Sequence, residues 1–191
     1  MADPVLHLLA GPNGSGKSTL WTYVLEPELH LEFVNADVIA EQRWPDEPAS
    51  HAYEAAGMAA ARREELVVAR SSFATETVFS HESKIELVRT AVEAGYLVTL
   101  HVVAVPEGLA VGRVENRVEN GGHAVPENKI RERYGRLWAH VAEAIALAEH
   151  ARVYENTSAS APFRVVAEFE RGALLLSDWP SWMPEELSDL V

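Results

Sequence analysis

Residues 11–18 read Gly11-Pro12-Asn13-Gly14-Ser15-Gly16-Lys17-Ser18 and satisfy G-x-x-x-x-G-K-[ST] at every fixed position. The fixed residue types are those a polyphosphate needs. Glycines let the backbone curl until its N–H groups point at one phosphate. Lys17 sets an ammonium on the neighbouring phosphate oxygens, and Ser18 offers a hydroxyl to Mg²⁺. Pro12, Asn13 and Ser15 fill the turn, and Thr19 continues it into a helix whose N-terminal partial charge favours an anion. With glycine near 7% of residues, the pattern arises by chance in roughly one chain of this length in a hundred. Its surroundings lower that further. The apolar run Val5–Ala10 reads as a buried strand before the loop, and residues 17–26 read as a helix after it.

Strand and helix patterns alternate onward from the loop. Strand candidates lie at 32–35, 71–77 and 96–105, with late candidates at 152–154, 164–169 and 173–176. The stretch 50–70 is rich in Ala, Arg and Glu and strongly helical. Ser80 can cap a helix carrying Ile85, Val88 and Val92 on one face, stopped by Gly95. Pro106 opens another helix, Gly121-Gly122 breaks it, and Pro126 starts a long one with Ile130, Leu137, Val141, Ile145 and Ala148 inward. The fold class expected is α/β: a P-loop NTPase/kinase fold with a five-stranded parallel sheet core flanked by helices. A single domain over 1–191 is expected, with a helical lid about 106–136.

Composition narrows the function. The 191 residues are 48% apolar and 24% charged, as in globular proteins generally. A net charge of −13 argues against a nucleic-acid duplex as main ligand, while leaving room for a local basic pocket. There are no cysteines, so disulfides and thiolate metal sites are excluded. No apolar stretch reaches membrane-spanning length, and no secretory leader is recognisable, so a cytoplasmic protein without membrane attachment is expected.

The loop spelling also occurs in ABC-transporter ATPases, but no LSGGQ-like signature follows. Leu174-Leu175-Leu176-Ser177-Asp178 imitates their acidic strand from the wrong end of the chain. Asn128-Lys129-Ile130-Arg131 resembles the NKxD guanine reader with Arg131 where Asp belongs, against a GTPase. A kinase needs a carboxylate for the acceptor hydroxyl and cations for the moving phosphoryl group. Asp37 stands at the end of the second strand, although it could instead cap the next helix. Glu76 ends the third strand, where P-loop proteins carry a second acid. Arg113, Arg117, Arg131, Arg133 and Arg136 flank the double glycine like the two arms of a lid, and His123 follows it.

The segments AGPNGSGKST (10–19), FVNAD (33–37), ETVFS (76–80), AGYLVTLHVVAV (94–105) and RVENGGHAVPENKIRERY (117–134) together resemble the zeta-toxin family of P-loop kinases, especially its short stand-alone branch often labelled predicted ABC-type ATPases. The resemblance covers most of residues 5–156. It implies ATP-dependent phosphorylation of a hydroxyl of UDP-N-acetylglucosamine or a related sugar nucleotide. It also implies ATP and Mg²⁺ at Lys17 and Ser18, Asp37 as base, and Glu76 and Thr77 at the sugar nucleotide. Arg117 is the matching lid arginine, and an antitoxin protein is a possible partner. The longer toxins carry Arg-x-Thr-Pro where this chain has His123-Ala124-Val125-Pro126. The second phosphate arginine then falls to Arg131 or Arg133, with Arg113 and Arg133 on the nucleotide and His123 near the substrate. Two other readings stand beside this one: a P-loop kinase for another small hydroxyl acceptor, and an ATP-dependent switch or assembly module.

Overall fold

The computed structural model describes residues 3–119 and 125–190. Its centre is β1 (Val5–Ala10), in which Leu6, Leu8, Leu9 and Ala10 are all fully buried. A strand covered on both faces reads as a continuous apolar run, as this one does. Around it lie β2 (Glu32–Val34), β3 (Phe73–Thr77), β4 (Leu97–Ala104), β5 (His150–Glu155), β6 (Arg164–Glu170) and β7 (Ala173–Ser177). Their order in the sheet is β2-β3-β1-β4-β5-β6-β7. The first five strands in this order pair in parallel, giving the expected five-stranded core.

The sheet as a whole is mixed, because two antiparallel strands extend the expected parallel core. β6 runs antiparallel to β5, and β7 antiparallel to β6. The physical reason is the short link between Glu155 and Arg164. A parallel return needs a crossover of a dozen or more residues, whereas a short link permits a hairpin.

The helices follow the sequence with informative departures. α1 (Lys17–Leu20) passes through a π-turn at Trp21–Leu25 into α2 (Glu26–Leu29), so the helix runs past residue 26. Pro27 has no N–H to give to the preceding turn, and a widened turn before it absorbs that loss. α3 (Ala36–Arg43) and α4 (Ala52–Val68) follow β2. α5 (Ser83–Glu93) begins with Glu82 at its N-cap position and no side-chain cap, so Ser80 does not cap it. Its buried face is Ile85, Val88 and Ala91, while Val92 is exposed. α6 (Glu107–Glu119) and α7 (Glu127–Leu147) meet through Val111, Val114 and Ile130, a small cluster apart from the main core. The break expected at Gly121-Gly122 and the His123 position lie outside the described residues. After β7, Met183 and Leu187 of the short α8 region (Glu185–Ser188) are buried against the core, and Trp179 lies against Phe169.

The parallel arrangement brings the carboxyl ends of β1, β2, β3, β4 and β5 to one edge. The phosphate loop, Asn35, Asp37, Glu76 and Asn156 therefore share that edge, where ligands of open α/β sheets bind.

Candidate active site

The loop leaves β1 in a conformation only its glycines permit. Gly16 has φ 97°, and a Cβ there would stand 2.6 Å from Asn156 Nδ2. Gly14 has φ 76°, and a Cβ there would stand 2.6 Å from the Ala110 carbonyl of α6. The loop is thus wedged between β5's end and α6, and any side chain at either position forces the backbone open. Asn156 Nδ2 donates to the Ser15 carbonyl at 2.8 Å, fixing the loop from 141 residues away in sequence. Lys17 is 5% exposed; its Nζ donates to the Pro12 carbonyl at 3.0 Å and lies 3.7 Å from Glu76 Oε1. Burial pushes the ammonium below its ordinary range, opposed by the charges of Glu76 and Asp37, while Arg117 adds to the fall.

Glu76 is the hub of the polar network. Its Oε2 accepts from Ser18 Oγ at 2.8 Å and from Asn35 Nδ2 at 3.2 Å. It therefore sits beside the loop hydroxyl and the loop lysine. Asn35 also caps α3, accepting from the Asp37 N–H at 2.8 Å. Asp37 is consequently not the cap; it occupies the first turn of α3, exposed, with its carboxylate at the cavity wall. Thr77 Oγ1 accepts from the Phe79 N–H at 3.2 Å, and the buried Phe79 has φ 66°. A bulky residue in the left-handed region is costly, so the turn after β3 is held by its surroundings.

These groups face a cavity of about 770 Å³. Asn13, Gly14, Gly16, Lys17, Ser18 and Thr19 of the loop reach it, as do Asp37, Glu76 and Thr77. Gly11, Pro12 and Ser15 are buried behind them. Asn13 Oδ1 and Ser15 Oγ are buried without a hydrogen-bond partner among the described residues. Arg113, Arg117 and Arg133 of α6 and α7 also line the cavity, Arg113 close beside Gly14 of the loop. Arg131 does not. It lies outside, its guanidinium held by Glu127 at 2.8 Å and Glu107 at 3.4 Å, so of the two sequence candidates for a second arginine only Arg133 is brought to the cavity. Position 133 lies about half a helical turn from 131 and so faces another side.

Sequence reasoning missed Asn35, Asn156, Arg63 and Lys84. Arg63 on α4 and Lys84 on α5 both line the cavity. The only signal for Asn156 was a polar residue directly after a buried strand at the ligand edge. In all, six cationic side chains face two carboxylates here, within a chain of net charge −13. Walls of low dielectric focus such a local excess on an anionic ligand.

A family model described as AAA domain matches residues 6–139, from β1 into α7. The chain belongs to this AAA-domain family. The matched span contains Lys17, Asp37, Glu76 and the four cavity arginines, while Asn156 lies beyond it. An uncharacterised protein of Haemophilus influenzae is 30% identical over 125 residues, 65% of this chain and 88% of that one. The AAA-domain chain also superposes on the structure of AvrRxo1-ORF1 with AvrRxo1-ORF2 and ATP at a TM-score of 0.71, with 16% identity, covering 92% of this chain and 61% of that chain. It thus spans less than two thirds of that protein. The structure of the PezAT toxin–antitoxin system of Streptococcus pneumoniae matches at a TM-score of 0.61, with 15% identity, over 88% of this chain and 72% of that one. At these identities the structural matches establish a shared fold: the α/β P-loop kinase fold, with a mixed sheet flanked by helices.

Proposed function

We propose that this AAA-domain protein is an ATP-dependent kinase that phosphorylates a hydroxyl of a small molecule. The observation that carries the reading is one cavity that gathers Lys17, Ser18 and Glu76, the carboxylate of Asp37, and Arg113, Arg117 and Arg133. A cavity of about 770 Å³ has room for a triphosphate end and an acceptor together. The acceptor is UDP-N-acetylglucosamine or a related sugar nucleotide, on the resemblance to zeta toxins. Another sugar or nucleoside hydroxyl would meet the same groups.

In this mechanism the loop amides and Lys17 bind the β- and γ-phosphates of ATP. Asp37 orients the acceptor hydroxyl and takes its proton as the new O–P bond forms and the bond to the ADP oxygen breaks. Lys17, Arg117 and Arg133 hold the charge of the phosphoryl group in flight. Ser18 Oγ and Glu76 Oε2 are hard oxygen donors 2.8 Å apart and suit Mg²⁺, the ligand chemistry that cation prefers. Bound there, Mg²⁺ neutralises phosphate charge. Closure of α6 and α7 excludes water and limits wasteful hydrolysis. The toxin-like reading carries with it a protein antitoxin, supported by the neighbour from a toxin–antitoxin system.

Mass spectrometry of a reaction with Mg²⁺–ATP and UDP-N-acetylglucosamine tests the acceptor. A product heavier by one phosphoryl group, lost in Asp37→Ala, supports it. No product from a protein shown to bind ATP removes that acceptor and directs the search to other hydroxyls.

A further inference from the structure

We propose that Arg63 and Lys84 form a second phosphate site in the same cavity, occupied by a phosphate group that the acceptor itself carries. The inference rests on the kinase reading above and names the class of its acceptor: a phosphorylated or nucleotide-linked hydroxyl compound.

The argument starts from what arginines do elsewhere in this chain. With 29 acidic against 16 basic residues, carboxylates are abundant, and surface arginines find them. Arg62, one residue before Arg63, holds Glu32 at 2.7 and 2.9 Å and Glu65 at 2.7 Å. Arg131 holds Glu127, Arg152 holds Glu168, and Arg171 holds Glu149. Arg63 and Lys84 do the opposite. Both line the cavity, both are partly buried, and neither side chain has an ion pair or hydrogen bond among the described residues. Glu64 is the one carboxylate whose charge acts on Arg63. Lys84 feels the charge of Arg63, and burial with that repulsion pushes its ammonium below the ordinary range.

Two like charges brought together in a partly dry wall repel, and an anion between them removes the penalty. A guanidinium beside an ammonium matches a phosphate dianion in charge, one cation supplying a planar fork and the other a point charge. Arg63 on α4 and Lys84 on α5 reach the cavity from elements other than the loop and other than α6 and α7. Arg63 continues a face of α4 formed by Ala52, Ala56 and Ala59, which also line the cavity. Small side chains there keep the space beside Arg63 open for the rest of the acceptor.

The test is equilibrium dialysis of labelled inorganic phosphate against the full chain saturated with Mg²⁺ and a non-hydrolysable ATP analogue, which fills the loop. One bound phosphate is expected, with affinity reduced at least about tenfold in Arg63→Gln and in Lys84→Met, restored in Lys84→Arg and unchanged in Arg62→Gln; that reduction is the loss of one charge-assisted contact. Equal affinity for the analogue in all variants shows that they fold. Absence of phosphate binding, or binding indifferent to both residues, overturns the proposal. Displacement by acetate as effective as by phosphate overturns the phosphate assignment in favour of a carboxylate. Failure of the analogue to bind would instead count against the kinase reading, while dependence of phosphate binding on Arg63 and Lys84 is read in the same way.

Discussion

The two sides of the cavity differ in how their charges are balanced. On the loop side the charged groups have partners within the protein: Lys17 rests on Pro12 and Glu76, and Glu76 on Ser18 and Asn35, while Asn156 rests on the Ser15 carbonyl. On the α4–α5 side, Arg63 and Lys84 face the cavity with no such partner among the described residues. The loop side is therefore organised by the protein's own contacts, with Glu76 balancing the charge of Lys17. The opposite side waits for charge from outside. A preorganised half lowers the reorganisation needed at the moment of reaction, and an unbalanced half gives selectivity, because an uncharged ligand leaves its cations unsatisfied.

The largest effects are expected where the organised half is broken. Lys17→Ala should lower phosphoryl transfer by about a thousandfold or more, since it removes a cation from both ground and transition states. Asp37→Asn should lower transfer by about 10²–10⁴-fold with nucleotide affinity nearly intact, the signature of a group that acts on the acceptor. Parallel measurement of analogue binding and turnover separates the two.

Glu76→Ala tests the internal balance itself. It leaves the buried Lys17 without its carboxylate, which should cost about 3 kcal/mol of unfolding free energy in the absence of ligand. Saturating ATP should recover much of that loss, because its phosphates replace the missing charge. Urea denaturation with and without nucleotide checks both parts.

A smaller contrast sharpens the geometry of α7. Arg133→Ala should lower transfer about tenfold or more, whereas Arg131→Ala should stay within about twofold, because an exposed arginine held by exposed carboxylates contributes little.

The smallest expected effect lies away from the site. His101 is 5% exposed, with its Nδ1 3.2 Å from the Tyr154 hydroxyl and its Nε2 3.1 Å from His7 Nδ1. Burial, with the charges of His7 and Arg152, pushes it down to about 3. The unfolded chain then binds the extra proton between pH 6.5 and 3, so this contribution to stability is complete above about pH 6.5 and is lost as pH falls. His101→Gln should flatten the slope of unfolding free energy between about pH 6.5 and 5 by up to about 1.4 kcal/mol per pH unit.

What was legible in the sequence was local. The loop, the strand before it, Asp37 just after β2 and Glu76 near the end of β3 are each carried by a few consecutive residues, and the parallel core follows from the alternation of strand and helix patterns. Ser80 misled because a favoured cap residue stood three positions before the helix, while α5 starts at Ser83 with no side-chain cap. The antiparallel additions are carried by link length: 156–163 is too short for a parallel return from β5 to β6, and Arg171-Gly172 closes the β6–β7 hairpin. Asn156, Arg63 and Lys84 could not be found this way, because their roles arise only when the sheet brings separate elements to one edge. Arg131 and Arg133 are equally plausible as letters; only the direction each faces on α7 separates them.

The most direct test of the account is transfer of label from ATP marked in its γ-phosphate into a deproteinised metabolite extract, with wild type and Asp37→Asn side by side. The account predicts that label appears in a small organic acceptor with wild type and falls by about 10²-fold or more with the variant. Release of inorganic phosphate alone, at equal rates in both proteins and accelerated by a protein partner, would contradict it and identify an ATP-driven switch.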